Sequence, residues 1–136
     1  MPRRRFSPRM VFLPLVVLAG AWFVHQYTSE REAARVAQMT TVMTRLMTAV
    51  QQEQRVGPLP GTPEAVRRTL DPALLELAPR LNGTPWSVAV TEGDSGPGPP
   101  GAATHTATVN IGADPAIHLR VAHDGERVLV LGYWRP

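Results

Sequence analysis

Fifteen residues without a charge, Met10 to Val24, open the hydrophobic pattern of this chain, and the periodicity then changes twice before the C-terminus. From Ser29 to Arg55 no proline or glycine interrupts the sequence. There Val36, Met39, Met43, Leu46 and Val50 recur at spacings of three and four, the narrow apolar stripe of a helix lying on a partner or on its own domain. Nothing between Val24 and Ser29 demands a break, so the apolar segment and this helix are expected to form one element of roughly 45 residues. Val56-Gly57-Pro58-Leu59-Pro60-Gly61 ends it. Thr62-Pro63 then signals a short helix through Leu70, and Asp71-Pro72 repeats the signal for another through about Ala78. Asn82-Gly83 closes that connector.

The last third alternates with a period of two. Trp86, Val88 and Val90 are interleaved with small polar residues, and Glu92 to Gly101 is a glycine- and proline-rich loop expected to be mobile. Ala103, His105, Ala107, Val109 and Ile111 form the next apolar row, with the intervening threonines expected in solvent. Asp124-Gly125 reads as a two-residue hairpin turn. With His123 opposite Glu126, Ile117, Leu119, Val121, Val128 and Val130 share one face, expected to lie on the long helix. The opposite face carries His118, Arg120 and Arg127 beside Leu129, Leu131 and Tyr133, too apolar a mixture for a purely solvated surface, and His118, Arg120, Leu129, Leu131 and Tyr133 are the expected partner surface.

The expected fold is therefore α+β: an N-terminal transmembrane helix continuing into a long amphipathic helix, packed on a small four-stranded antiparallel sheet. Its divisions are a basic tail (1–9), a membrane anchor (10–27), a stalk helix (28–55), a connector with short helices (56–84) and a β meander (85–136) with the loop at 92–101.

Charge sharpens the reading of the N-terminus. A pI of about 10.5 suggests a nucleic-acid binder, but Arg3, Arg4, Arg5 and Arg9 hold four positive charges in the tail. Beyond it ten arginines face eleven carboxylates, a net of −1, so no nucleic-acid partner is expected. A full span needs roughly 17 to 25 apolar residues, and 10–27 reaches that range if His25, Gln26 and Tyr27 form an interfacial end. Met10, Phe12, Leu15, Val16, Val17, Leu18, Trp22 and Phe23 are the expected anchor residues. Arginines on its N-terminal side alone place Met1 in the cytoplasm and the domain in the periplasm. Ala19-Gly20-Ala21 also fits the small-x-small site read by signal peptidase, so cleavage before Trp22 is the competing expectation. Both put the domain outside the cytoplasm.

Composition removes several chemistries. There is no lysine among the 14 basic residues and no cysteine, which excludes Schiff-base and Walker-type lysines, thiol catalysis, disulfides and thiolate-ligated metals. Four histidines, His25, His105, His118 and His123, stand in no metal or nucleophile motif. Met39, Met43 and Met47 could in principle hold copper(I), but methionines four apart on a helix are the usual filling of an irregular contact. No catalytic residue, cofactor or metal is expected, and the chain reads as a non-enzyme.

The order of elements, a membrane helix running into an amphipathic helix, then a connector and a four-stranded antiparallel meander, resembles type IV pilins and the pseudopilins of type II secretion. It is more loosely similar to small inner-membrane accessory proteins of thin-pilus systems. The prepilin motif is missing: Arg9 stands where pilins carry glycine and Pro14 where they carry glutamate. The resemblance implies a structural or assembly component of a bacterial envelope complex, with the membrane, other envelope proteins and the chain itself as partners. The alternative is a periplasmic ligand- or metal-binding accessory or sensor module.

Overall fold

In the computed structural model the backbone is described for residues 8–99 and 101–136, and side chains from residue 29 onward apart from Pro100. The anchor positions Met10, Phe12, Leu15, Val16, Val17, Leu18, Trp22 and Phe23 lie outside the described side chains. Among the described residues no helix is long and apolar enough to cross a membrane. The chain divides at Ala34/Arg35 into two units, and the architecture below is that of the second.

Helix α1 runs from Pro8 to Glu53, and its Arg35–Glu53 part supplies one side of the core. Met39, Met43, Leu46, Met47 and Val50 are buried, while Val36 at the start of the stripe is half-buried. Each fully buried Met, Leu or Val contributes roughly 1.5–3 kcal/mol of hydrophobic stabilisation. The hydroxyls of Thr40 and Thr48 donate back to the carbonyls of Val36 and Thr44, so these polar residues are satisfied inside the helix. Gln54 takes a left-handed conformation at φ 52° just past the end, the place usually given to glycine. The proline-rich connector then leaves.

Helix α2 spans Glu64–Leu75 and α3 spans Ala78–Gly83. The expected restart at Asp71-Pro72 does not occur. Pro72 lies inside α2, and the Asp71 carboxylate pairs with Arg67 one turn earlier at 3.0 Å instead of capping a new helix. Buried Leu70, Ala73 and Leu74 straddle the proline and hold α2 on the core, which offsets the single backbone bond that Pro72 cannot make. Thr62 does not cap α2 either. Pro63 occupies that position, and the Thr62 hydroxyl accepts the Val130 N–H at 3.2 Å.

Strands β1 (Trp86–Glu92), β2 (His105–Ile111), β3 (Asp114–His123) and β4 (Val128–Trp134) form one antiparallel sheet in the order β1-β2-β3-β4. The protein is thus α+β, a long helix with a four-stranded antiparallel sheet. Ala107, Val109, Ile111, Ile117, Leu119, Val121, Val128 and Val130 make the buried face, joined by Leu59, Leu70, Leu74, Leu77 and Leu81 from the connector and its helices.

The hairpin register differs from the expected one. His123 pairs with Val128 and Val121 with Val130, two residues further along than a Glu126 partner implies. Asp124 builds a wider turn: its Oδ1 accepts the N–H groups of Glu126 and Arg127 at 3.1 and 2.7 Å, and Gly125 adopts φ 100°. An even shift preserves which face each side chain occupies, so the apolar row stays on the core. Past Val130 the register shifts again, to Arg120↔Gly132, Leu119↔Tyr133 and His118↔Trp134. Leu131 is the extra residue of a β-bulge, and an odd shift exchanges the two faces.

Candidate functional site on the outer face of the sheet

That bulge composes the face turned away from the core. Tyr133, expected there, instead opposes Leu119, packs against the core and donates its hydroxyl to the Thr69 carbonyl of α2 at 3.2 Å. Trp134 takes the outer position beside His118. The two rings are stacked, 4.9 Å between centroids and 19° between planes. The His118 Nδ1 lies 2.8 Å from the Thr108 hydroxyl of the neighbouring strand, so the imidazole is held on one edge by a hydrogen bond and on one face by an indole.

Arg120, two residues along β3, is fastened as well. Its Cζ stands 5.0 Å from the Trp134 ring centroid, a cation–π distance. Its Nε lies 3.1 Å from both carboxylate oxygens of Asp94, and its Nη2 donates to the Pro97 carbonyl. The loop after β1 therefore does not hang away from the sheet, at least in its first half. The Gly96 N–H donates to Asp94 at 2.9 Å, and the Ser95 N–H donates to the Thr106 hydroxyl at 3.2 Å. That hydroxyl in turn donates to the Gly93 carbonyl at 2.8 Å. Thr106, expected in solvent with the other threonines, is only 2% exposed as a result.

Gly96 is required by this close approach. A Cβ there would come within 2.3 Å of Arg120 Nη2 and 2.8 Å of the Trp134 ring. Asp94 is held below the ordinary carboxylate range, first by the Gly96 N–H and then by Arg120, with burial working in the opposite direction. The latch is an ion pair in which Asp94 accepts from Arg120 Nε and from the Gly96 N–H while Arg120 Nη2 donates to Pro97, and Arg120 is a positioning group held at both nitrogens.

The remaining expected surface residues separate. Leu131 lines a depression of about 420 Å³ with Pro97, Pro99, Gly101, Ala102, Ala103 and Arg120. Leu129 opposes Ala122 and reaches toward Gly61 of the connector, where an added Cβ would meet its Cδ2 at 2.5 Å. The outer face thus brings together His118, Arg120 and Leu131 from the expected set and adds Trp134, Asp94, Thr106 and Thr108. Gly132, a glycine inside a strand, is the sequence signal that could have located the bulge.

The three histidines whose side chains are described do not converge. His105 is buried with its Nδ1 2.8 Å from the Thr104 hydroxyl, and His123 Nε2 lies 2.9 Å from Gln38 Oε1. Among the described residues no three histidines or carboxylates form a metal-ligating group. Chemically the face offers a flat, pre-ordered aromatic surface with an ion-paired guanidinium at its side. No family model, curated protein or solved structure matches this chain.

Proposed function

We propose that the protein is a non-catalytic structural or assembly component of a bacterial envelope complex of the pilus, secretion or conjugation type. In this reading residues 10–27 anchor it in the inner membrane with Met1 in the cytoplasm, and the domain from Arg35 onward works in the periplasm. The observation that carries the proposal is the outer sheet face. One side of the sheet is consumed by the protein's own helices, while the other presents the half-buried pair His118 and Trp134, stacked and fixed by Thr108 and the Asp94–Arg120 latch. Aromatic and arginine side chains pre-ordered in this way are the usual anchors of protein interfaces. The arginine tail and the uncharged segment behind it support the placement.

The test uses full-length protein in native membranes, where the lack of cysteine in the chain gives a clean background. Single cysteines belong at Leu131 on the outer face and at exposed Thr41 of α1, since Met43 is buried and reports nothing. Leu131→Cys is expected to form adducts with envelope-complex subunits, identified by mass spectrometry, and these adducts should vanish when Trp134→Ala is added. Adducts unaffected by Trp134→Ala, or none at either position, would remove the assembly role. Release of the protein by high salt alone, or an intact mass beginning at Trp22, would remove the anchor.

A further inference from the structure

The two edges of the sheet are treated differently. Along β4 the Val130 N–H is capped by the Thr62 hydroxyl, α2 packs beside the strand, and the bulge at Leu131 breaks the edge. These are the devices by which proteins prevent strand addition. β1 has none of them. Trp86-Ser87-Val88-Ala89-Val90-Thr91-Glu92 is seven residues long without proline or bulge, its only charge is at one end, and among the described residues it pairs with β2 alone.

Its unused hydrogen-bonding groups can be named. The Gly93 N–H donates to the Thr104 carbonyl and the Pro85 carbonyl accepts the Gly112 N–H, so odd-numbered residues of this strand turn their backbone groups toward β2. By alternation Trp86, Val88, Val90 and Glu92 point theirs outward. The same four residues carry their side chains on the core side. There Trp86, Val88 and Val90 are only half-buried, whereas Ala107 and Val109 beside them on β2 are fully buried, which leaves an apolar shoulder along the open edge.

We propose that this edge is a self-association site, and that its occupant is β1 of a second copy, added antiparallel about a two-fold axis through Ala89. In that register Val88 of one copy opposes Val90 of the other and Trp86 opposes Glu92, so all four outward-facing residues on each strand find partners. The Val88 and Val90 side chains of the two copies close the shoulder from both sides. Charge favours the same arrangement. Antiparallel pairing separates the two Glu92 carboxylates by six residue steps, roughly 20 Å at about 3.4 Å per residue, whereas a parallel pair in register sets them side by side. The contact does not depend on the envelope assignment, and it leaves the His118–Trp134 face open.

Ala89 is exposed and sits on the axis in a pair that shares no hydrogen bonds, where opposed Cα atoms approach to about 4.5 Å, within disulfide reach. Full-length A89C under mild oxidation is therefore expected to run as a disulfide-linked dimer. S87C, which faces Thr91 of the other copy, should stay monomeric. Val88→Pro in the A89C background removes an outward N–H and leaves the β2 ladder intact, so it should abolish the dimer while the chain still unfolds cooperatively in urea, at a modest stability cost from the core packing that the Val88 side chain gives up. In the unsubstituted chain, amide exchange at Val88 and Val90 should slow as protein concentration rises. Crosslinking of A89C no better than S87C, a dimer that survives Val88→Pro, exchange independent of concentration, or A89C captured by a different polypeptide would each overturn self-association through β1.

Discussion

Met43 offers the sharpest test of how the helix holds the sheet. It is fully buried between Met39 and Met47, which are buried to the same degree. Met43→Ala removes three heavy atoms, worth about 2.5 kcal/mol at about 0.8 kcal/mol per buried methylene-sized group. The cavity left behind raises the expected cost toward the upper part of a range of about 2–5 kcal/mol. Met43→Leu keeps volume and apolarity and should cost less than about 1.5 kcal/mol. Val36→Ala, at the half-buried start of the stripe, should cost less than Met43→Ala. Urea unfolding of full-length protein, followed by far-ultraviolet circular dichroism, reads these differences as shifts of midpoint at constant slope. A loss below about 1 kcal/mol for Met43→Ala, or equal losses for alanine and leucine, would contradict the cavity argument of a close-packed core.

Three further outcomes follow from the connector and the latch. Thr62→Val deprives the Val130 N–H of its acceptor and should cost about 1–3 kcal/mol by urea unfolding, while Thr62→Ser should stay near the parent; equal losses would place the effect elsewhere. Gly96→Ala drives a methyl into Arg120 and Trp134 and should detach the loop, read as faster amide exchange at Ser95 and Gly96 with the core amides unchanged; protection at both amides equal to the parent's would refute the close approach. Acid should open the same latch. The Asp94 carboxyl is depressed below its ordinary 3.8, so its contribution is present above that value and is lost as pH falls through the lower, folded-state value. Nuclear magnetic resonance of the Gly96 amide should therefore titrate with a midpoint under 3.8, and a midpoint at or above it would refute the latch. Asp124, lowered to about 2 by the Arg127 and Glu126 N–H groups, should lose its turn contribution between about pH 4 and 2.

Residues 35–53 of α1, all four strands and the assignment of their side chains to the core-side or the outer face of the sheet through Val130 were legible in the sequence, because each rests on a local rule. Val36, Met39, Met43, Leu46 and Val50 follow a helical period, and the strands alternate by two. Even at Asp124, where the turn is wider than two residues, the apolar row stays on the core, since a shift of two residues keeps parity. What the sequence could not supply depends on contacts between distant segments. The bulge at Leu131 exchanges Tyr133 and Trp134 between faces, and in the structure it accompanies a carbonyl on α2 that meets the Tyr133 hydroxyl and a histidine on β3 that stacks with Trp134. Pro72 stays within α2 where Leu70 and Leu74 are buried together on either side of it. Thr106 is buried because Asp94, 12 residues earlier, reaches Arg120 on the next strand and draws the loop across it. Periodicity reports which side of an element is apolar; the groups that lie opposite each side chain belong to the tertiary structure, and they decided the composition of the outer face.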